Sequence, residues 1–228
     1  MYRSAPVQFG RIKARTPLVG TGQRVGLFGG SFNPPHAAHL LNSEIAMRRL
    51  GLDAVWWLVT PGNPLKARGD LAPLDERIAA CRALVGHRRI NVTGFEAELS
   101  STFTAATLAY LRRRHPDVHF VWIMGSDCLA QFHRWRNWRD ILSAMPVAVV
   151  NRPGSHFNAL ASPAASAFGD HRLPETYAKL LPVLRAPAWT FLTGPQLPHS
   201  STAIRVAKKS QFARLESTSS LRPKPTGP

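Results

Sequence analysis

The sequence predicts a doubly wound, Rossmann-like α/β fold with a mostly parallel sheet in a single domain. Three observations lead there. A short apolar stretch, Arg24 to Gly29, runs into Gly30, a proline-stiffened loop and an amphipathic helical pattern. A continuous apolar run, Ala54 to Thr60, follows within a span that fits one right-handed crossover unit. Further apolar runs at 118–124 and 145–151 then alternate with helical patterns, as expected of strands buried on both faces.

Residues 24–29 give the first strand. Helix one is predicted from His36 to Leu50, with Leu40, Leu41, Ile45, Met47 and Leu50 inward and Glu44, Arg48 and Arg49 outward. Gly51 is a plausible left-handed stop. After the second strand, Pro61-Gly62-Asn63-Pro64-Leu65-Lys66 leaves its carboxyl end, where open α/β sheets bind ligands. Leu74 to Val85 is a helix candidate with Asp75 and Glu76 near its start and Gly86 beyond its end. Arg89 to Thr93 reads as a short strand. Ser100-Ser101-Thr102-Phe103-Thr104 offers N-caps to a helix ending at Arg114, before His115-Pro116.

Val118 to Met124 is the next buried strand, with Gly125-Ser126-Asp127 at its carboxyl end. Leu129, Phe132, Trp135 and Trp138 are spaced as one helical stripe, and Asp127 suits an N-cap. Met145 to Asn151 is a strand, closed by the turn Arg152-Pro153-Gly154. The Ala-, Ser-, Pro- and Gly-rich residues 154–173 predict a long surface loop, Pro174 to Leu184 a weak helix, and Ala188 to Leu192 the final strand.

The chain has 228 residues and a net charge of +16. Ten of these charges lie in residues 1–24 and 205–228. The domain is expected over 23–212, with a disordered basic extension at 1–22 and a disordered basic tail at 213–228. No recognisable nucleic-acid module accompanies these ends, so solvated termini are the simpler reading. No long apolar run predicts a membrane span or a secretory leader. Two cysteines, Cys81 and Cys128, make no disulfide framework, and a cytoplasmic protein is expected.

The chemistry concentrates in the loop after the first strand. Gly29 and Gly30 would let a phosphate approach the backbone. His36 and His39 would share one face of a helix start, where free N–H groups and the positive dipole end converge. Turn geometry alone would also explain the glycines. Zinc binding by the two histidines lacks further ligands nearby. Near the other end, Ser200, Ser201 and Thr202 are N-cap residues by default, yet with Arg205 one turn on they would make a second phosphate cradle.

Gly29-Gly30-Ser31-Phe32-Asn33-Pro34-Pro35-His36-Ala37-Ala38-His39 resembles the signature of the nucleotidyltransferases with a His-x-Gly-His motif. Within them the chain is similar to the bacterial nicotinate-nucleotide adenylyltransferases over about residues 24–210. Ala38 stands where that family has glycine, and Asn33 where it more often has aspartate. His199-Ser200-Ser201-Thr202-Ala203-Ile204-Arg205 resembles the Ile-Ser-Ser-Thr-x-Ile-Arg motif, with His199 at the isoleucine. Asp127 to Trp135 resembles the Asp-x-Leu-x-x-Phe-x-x-Trp segment.

The resemblance implies adenylyl transfer from ATP to nicotinate mononucleotide, with Mg2+, in NAD biosynthesis. It makes His36, His39 and Arg205 catalytic. It assigns Gly29, Gly30, Ser31, Phe32, Lys66, Gly125, Asp127, Ser201 and Thr202 to ATP and its phosphates. Thr104 and Trp135 would hold the nicotinate, the tryptophan by stacking on a cationic ring. No metal-ligating residue is implied, and a homo-oligomer is compatible. Other adenylyl- or cytidylyltransferases of the superfamily, such as phosphopantetheine adenylyltransferase, and a basic nucleic-acid-binding protein are the alternatives.

Overall fold

The computed structural model describes residues 15–62, 71–99, 103–207 and 210–211. Its centre is one seven-stranded sheet: β1 (Arg24–Gly30), β2 (Ala54–Val59), β3 (Ile90–Thr93), β4 (His119–Gly125), β5 (Val147–Val150), β6 (Arg172–Leu173) and β7 (Trp189–Leu192). The order is β3-β2-β1-β4-β5-β7-β6, and every pairing is parallel. The expected Rossmann-like sheet is therefore present. The order reverses between β1 and β4, so the loops leaving those two strands flank a crevice at the carboxyl edge.

Side-chain alternation along each strand divides the core into two layers. Val25, Leu27, Trp56, Leu58, Trp122 and Met124 pack beneath α3 (Thr104–Arg114), α4 (Ser126–Gln131), α5 (Trp138–Ala144), α6 (His156–Leu160) and α7 (Pro163–Ala167). Phe28, Val55, Trp57, Val59, Val121 and Ile123 pack beneath α1 (Ala37–Leu50), α2 (Leu74–Leu84) and a 3₁₀ helix, Glu175–Val183.

Helix α1 runs as its apolar spacing predicts, and Gly51 stops it at φ 65°, with its N–H bonded to the Met47 carbonyl. Helix α2 ends at Leu84, one residue before the expected stop. The described part of the N-terminal region lies against the segment joining α3 to β4, at the amino ends of the central strands. Thr16 Oγ1 bonds His115 Nε2 at 3.0 Å, and Gly22 N–H donates to the Asp117 carbonyl at 2.7 Å. The expected tail at 213–228 lies outside the described residues.

Five expectations are corrected. The segment 154–173 is not a long loop: it forms α6, α7, a 3₁₀ turn at Gly169–His171 and the edge strand β6. Alanine content and a Ser162-Pro163 start explain α7, since Ser162 Oγ accepts from Ala165 N–H and proline suits the first turn. The aromatic stripe is not one helix. Helix α4 tightens to 3₁₀ at Phe132–Arg134, Asn137 adopts φ 56°, and α5 starts afresh at Trp138. Helix α3 starts from Phe103 without a side-chain cap, although Ser100, Ser101 and Thr102 lie outside the described residues. Gly125, not Asp127, is the N-cap of α4. The weak helix near 174–184 is 3₁₀, with Pro182 inside it.

Candidate active site

The loop after β1 is held by packing more than by glycine freedom. A Cβ on Gly29 would collide with the Trp122 ring, and one on Gly30 would sit 3.2 Å from the Phe32 ring. The Gly30 carbonyl still accepts from Thr60 N–H at 3.0 Å, so β1 and β2 stay paired to their ends. Phe32 is bent to φ 45°, in the left-handed region. That strain costs about 1–2 kcal/mol for a side chain with a Cβ. Burial of the Phe32 ring, worth about 1.5–3 kcal/mol, offsets it. The ring stacks on Trp57 at 4.8 Å and meets His39 at 4.9 Å between centroids. Phe32 thus supports a histidine from below, and only its backbone lines the loop.

His36 is the N-cap of α1 and His39 lies three residues on, in its first turn. Their ring centroids are 3.8 Å apart. The His36 N–H donates to His39 Nδ1 at 3.2 Å. That bond makes Nδ1 the acceptor, so the neutral ring carries its proton on Nε2 and donates from there. Trp57 Nε1 donates to Ser43 Oγ at 2.8 Å, and Ser43 Oγ to the His39 carbonyl at 3.0 Å. His36 is buried, and its Nδ1 has no protein partner. Burial, then the charge of Arg152, then His199, lower its pKa from 6.5 to about 4. It is a neutral imidazole at physiological pH. Ala38 is buried in a regular helical turn, so glycine is not required between the histidines.

The carboxyl end of β4 supplies the facing wall. A Cβ on Gly125 would collide with Asp127 Oδ1 and approach Arg152 Cδ at 2.7 Å. Asp127 and Arg152 Nε are 3.8 Å apart. Arg152 N–H donates to Ser126 Oγ at 2.8 Å, and Arg152 Nη2 to the His199 carbonyl at 2.9 Å. The sequence marks Arg152 only as part of a turn. Strand register held the missed signal: Gly125 pairs with Val150, which sets Arg152 beside Asp127.

The terminal helix, residues 201–207, docks on the opening loop. Ser200 is its cap, accepting from Ala203 N–H at 3.1 Å. Ser201 Oγ donates to the Pro34 carbonyl at 2.9 Å, and Arg205 Nη1 to the Asn33 carbonyl at 2.6 Å. Arg205 Nη2 reaches Thr202 Oγ1 at 3.3 Å. The Asn33 side chain accepts from Ala72 N–H at 3.4 Å, a task an amide oxygen performs as a carboxylate would. His199 adds a third imidazole, 6.4 Å from His36 between centroids.

The aromatic candidates gather elsewhere, at the far end of α4, a six-residue helix about 9 Å long. Trp135 packs on Phe132 at 5.1 Å. The Arg136 guanidinium lies 4.6 Å over the Phe103 ring, which brings Thr104, the first residue of α3, near Trp135. Lys66 lies outside the described residues. Among the described residues no three His, Cys, Asp or Glu side chains form a metal set, and no helix is long and apolar enough to cross a membrane.

Fold and site together define a nucleotide-binding α/β protein that gathers imidazoles, hydroxyls and an arginine at the switch point of its sheet. A family described as cytidylyltransferase-like matches residues 27–207, and the chain belongs to it. It is 56% identical over 181 residues to a probable nicotinate-nucleotide adenylyltransferase of Agrobacterium fabrum, covering 79% of this chain and 97% of that one. It is 59% identical over 182 residues to a Methylorubrum extorquens protein of the same description, covering 80% and 98%. Within the family the chain thus groups with the nicotinate-nucleotide adenylyltransferases. The fold resembles a Plasmodium falciparum nicotinic acid mononucleotide adenylyltransferase complexed with NaAD, at a TM-score of 0.60 and 16% identity, over 80% of this chain and 82% of that one.

Proposed function

We propose that the protein transfers the adenylyl group of ATP to nicotinate mononucleotide, giving nicotinate adenine dinucleotide and pyrophosphate for NAD biosynthesis. One observation carries the reading beyond family membership. The His36–His39 pair sits at the start of α1, and the Ser201–Arg205 helix is fastened to the loop just before it. Two phosphate cradles far apart in sequence thereby meet.

In the reaction an oxygen of the mononucleotide phosphate attacks the α-phosphorus of ATP. The bond to the β-phosphate breaks, and its electron pair leaves with pyrophosphate. The nucleophile is already anionic, so no base is needed to create it. The protein must bring two polyanions into line and stabilise charge on the α-phosphoryl and leaving groups. His36 and His39 serve as neutral donors to the phosphates, the latter from Nε2. Arg205 and Thr202 hold the polyphosphate, with Ser201 setting the docking of their helix. The backbone of Gly29, Gly30, Ser31 and Phe32 forms the phosphate loop, and Lys66 is assigned to the same substrate.

Asp127 accepts from ribose hydroxyls, beside Gly125, and Arg152 adds positive charge next to it. Trp135 stacks on the pyridine ring, and Thr104 receives the carboxylate at a helix start with no acid in its first turn. Mg2+ would arrive with ATP, and Asp127 is the carboxylate suited to orient its waters. The ion supplies charge neutralisation on the phosphates. The domain is assigned to residues 23–212, in the cytoplasm.

The test is pyrophosphate release from ATP with nicotinate mononucleotide, nicotinamide mononucleotide and phosphopantetheine in parallel. Turnover with the first is expected. Turnover only with phosphopantetheine would overturn the reading in favour of another superfamily activity.

A further inference from the structure

Arg77, on the buried side of α2, is a cation that the chemistry above leaves unused. Its residue is 2% exposed, which is rare for arginine unless an acid pairs with it. Here the partners are backbone carbonyls. Arg77 Nη1 donates to Ser31 O at 2.7 Å and to Thr60 O at 2.8 Å. Nε donates to Ala72 O at 2.8 Å, and Nη2 reaches Pro61 O at 3.5 Å. Neither ion pair among the described residues involves Arg77. One guanidinium therefore joins the loop after β1, the loop after β2 and the chain entering α2. The Asn33 bond to Ala72 N–H ties two of the same segments a second time.

We infer that Arg77 is a positioning residue for the phosphate side of the site, fixing which way the loop after β1 presents its backbone. The Ser31 carbonyl and the Phe32 N–H belong to one trans peptide plane and point in opposite directions. Holding the carbonyl on Arg77 turns the Phe32 N–H away from α2. The same contact supports the left-handed turn at Phe32, on whose ring His39 rests. A fork is needed, because four carbonyls from three segments converge on one planar group. Lysine offers a point charge without that geometry. Carbonyl dipoles satisfy the donors, and among the described residues no carboxylate forms an ion pair with the unit charge. Positive potential therefore remains under the loop, where it favours a polyanion. Burial lowers the Arg77 pKa from its ordinary value, yet an arginine keeps its proton.

This inference rests on the adenylyl-transfer reading for its substrate, and its test separates the two. Arg77→Lys and Arg77→Ala are compared with wild type by calorimetric binding of ATP and by KM for each substrate. Near-ultraviolet circular dichroism checks the fold. ATP binding and KM for ATP are expected to weaken at least about tenfold in Arg77→Lys, with KM for nicotinate mononucleotide within about twofold. Guanidinium ion at low millimolar concentration should restore part of the ATP affinity of Arg77→Ala and do nothing for wild type. The inference is overturned if Arg77→Lys binds ATP within about twofold of wild type, or if both KM values rise together. It is equally overturned if neither variant folds, since Arg77 is then a structural residue alone. Should wild type bind ATP but fail to use nicotinate mononucleotide, the proposed function falls while the ATP-binding arm still decides the role of Arg77.

Discussion

At one end of the site, Ser201 and Arg205 are fastened to the loop at 31–34, that loop to Arg77, and His39 to the His36 N–H. At the other end, Thr104 begins a helix with no side-chain cap, Trp135 is half-buried, and Arg136 lies over Phe103. The phosphate end has its dipoles fixed before any ligand arrives. Preorganised donors stabilise developing charge most where they need not reorient. The aromatic end offers ring faces, which recognise a flat ring with little directional demand. The difference suggests that the first end governs the chemical step and the second governs which mononucleotide is held.

Four substitutions probe that division. His39→Ala should lower kcat by about 10²–10³-fold, the usual size for removing one preorganised donor, with the far-ultraviolet spectrum unchanged. A loss seen only in KM for nicotinate mononucleotide would erase the distinction between the ends. Gly29→Ala should destabilise the fold by about 1–3 kcal/mol in urea denaturation, because its methyl group meets the Trp122 ring. Unchanged stability with weakened ATP binding would instead make Gly29 a phosphate-loop residue only. Trp135→Ala should raise KM for nicotinate mononucleotide about tenfold with kcat within about twofold, and Trp135→Phe should recover much of the loss.

The smallest effect is in stability against pH, because two buried groups oppose each other. His36 titrates near 4 when folded and 6.5 when unfolded, so stability falls as pH drops from 6.5 towards 4. Glu96 is pushed from 4.5 up to about 7 by burial, against the hydrogen bond from Thr107 that favours its ionised form. Its contribution is full below 4.5 and is lost as pH rises through 7. Between 4.5 and 6.5 the two slopes nearly cancel. Relative to wild type, Glu96→Gln should expose a melting temperature that falls on acidification. His36→Gln should expose one that falls towards neutrality. Parallel profiles for all three proteins would show that neither group is linked to folding.

Much of this was legible in the chain. The buried strands are continuous apolar runs, and a parallel sheet covered on both faces demands them. The two histidines and the Ser-Ser-Thr segment were visible as residue types at helix starts, although the contact between their segments across 167 residues was not. Nothing in the sequence singles out Arg77, because only the folded loops bring the Ser31, Thr60 and Ala72 carbonyls to one guanidinium. The short helices of 156–167 escaped because two five-residue helices cannot display an apolar period. Trp135 is singled out by the resemblance of the Asp127–Trp135 segment, but the 3₁₀ turn before it and the left-handed Asn137 after it show no apolar period.

The docking of Ser201 and Arg205 on Pro34 and Asn33 has a consequence for how the protein is made. Every strand among the described residues is complete by Leu192, so a chain still emerging from the ribosome can close that sheet before residue 200 is free. Catalytic competence would then arrive as a separate, later event, when the helix at 201–207 swings onto a loop synthesised 172 residues earlier. A truncation before Ser200 should therefore yield a folded, inert molecule, and activity becomes a check that translation reached this helix.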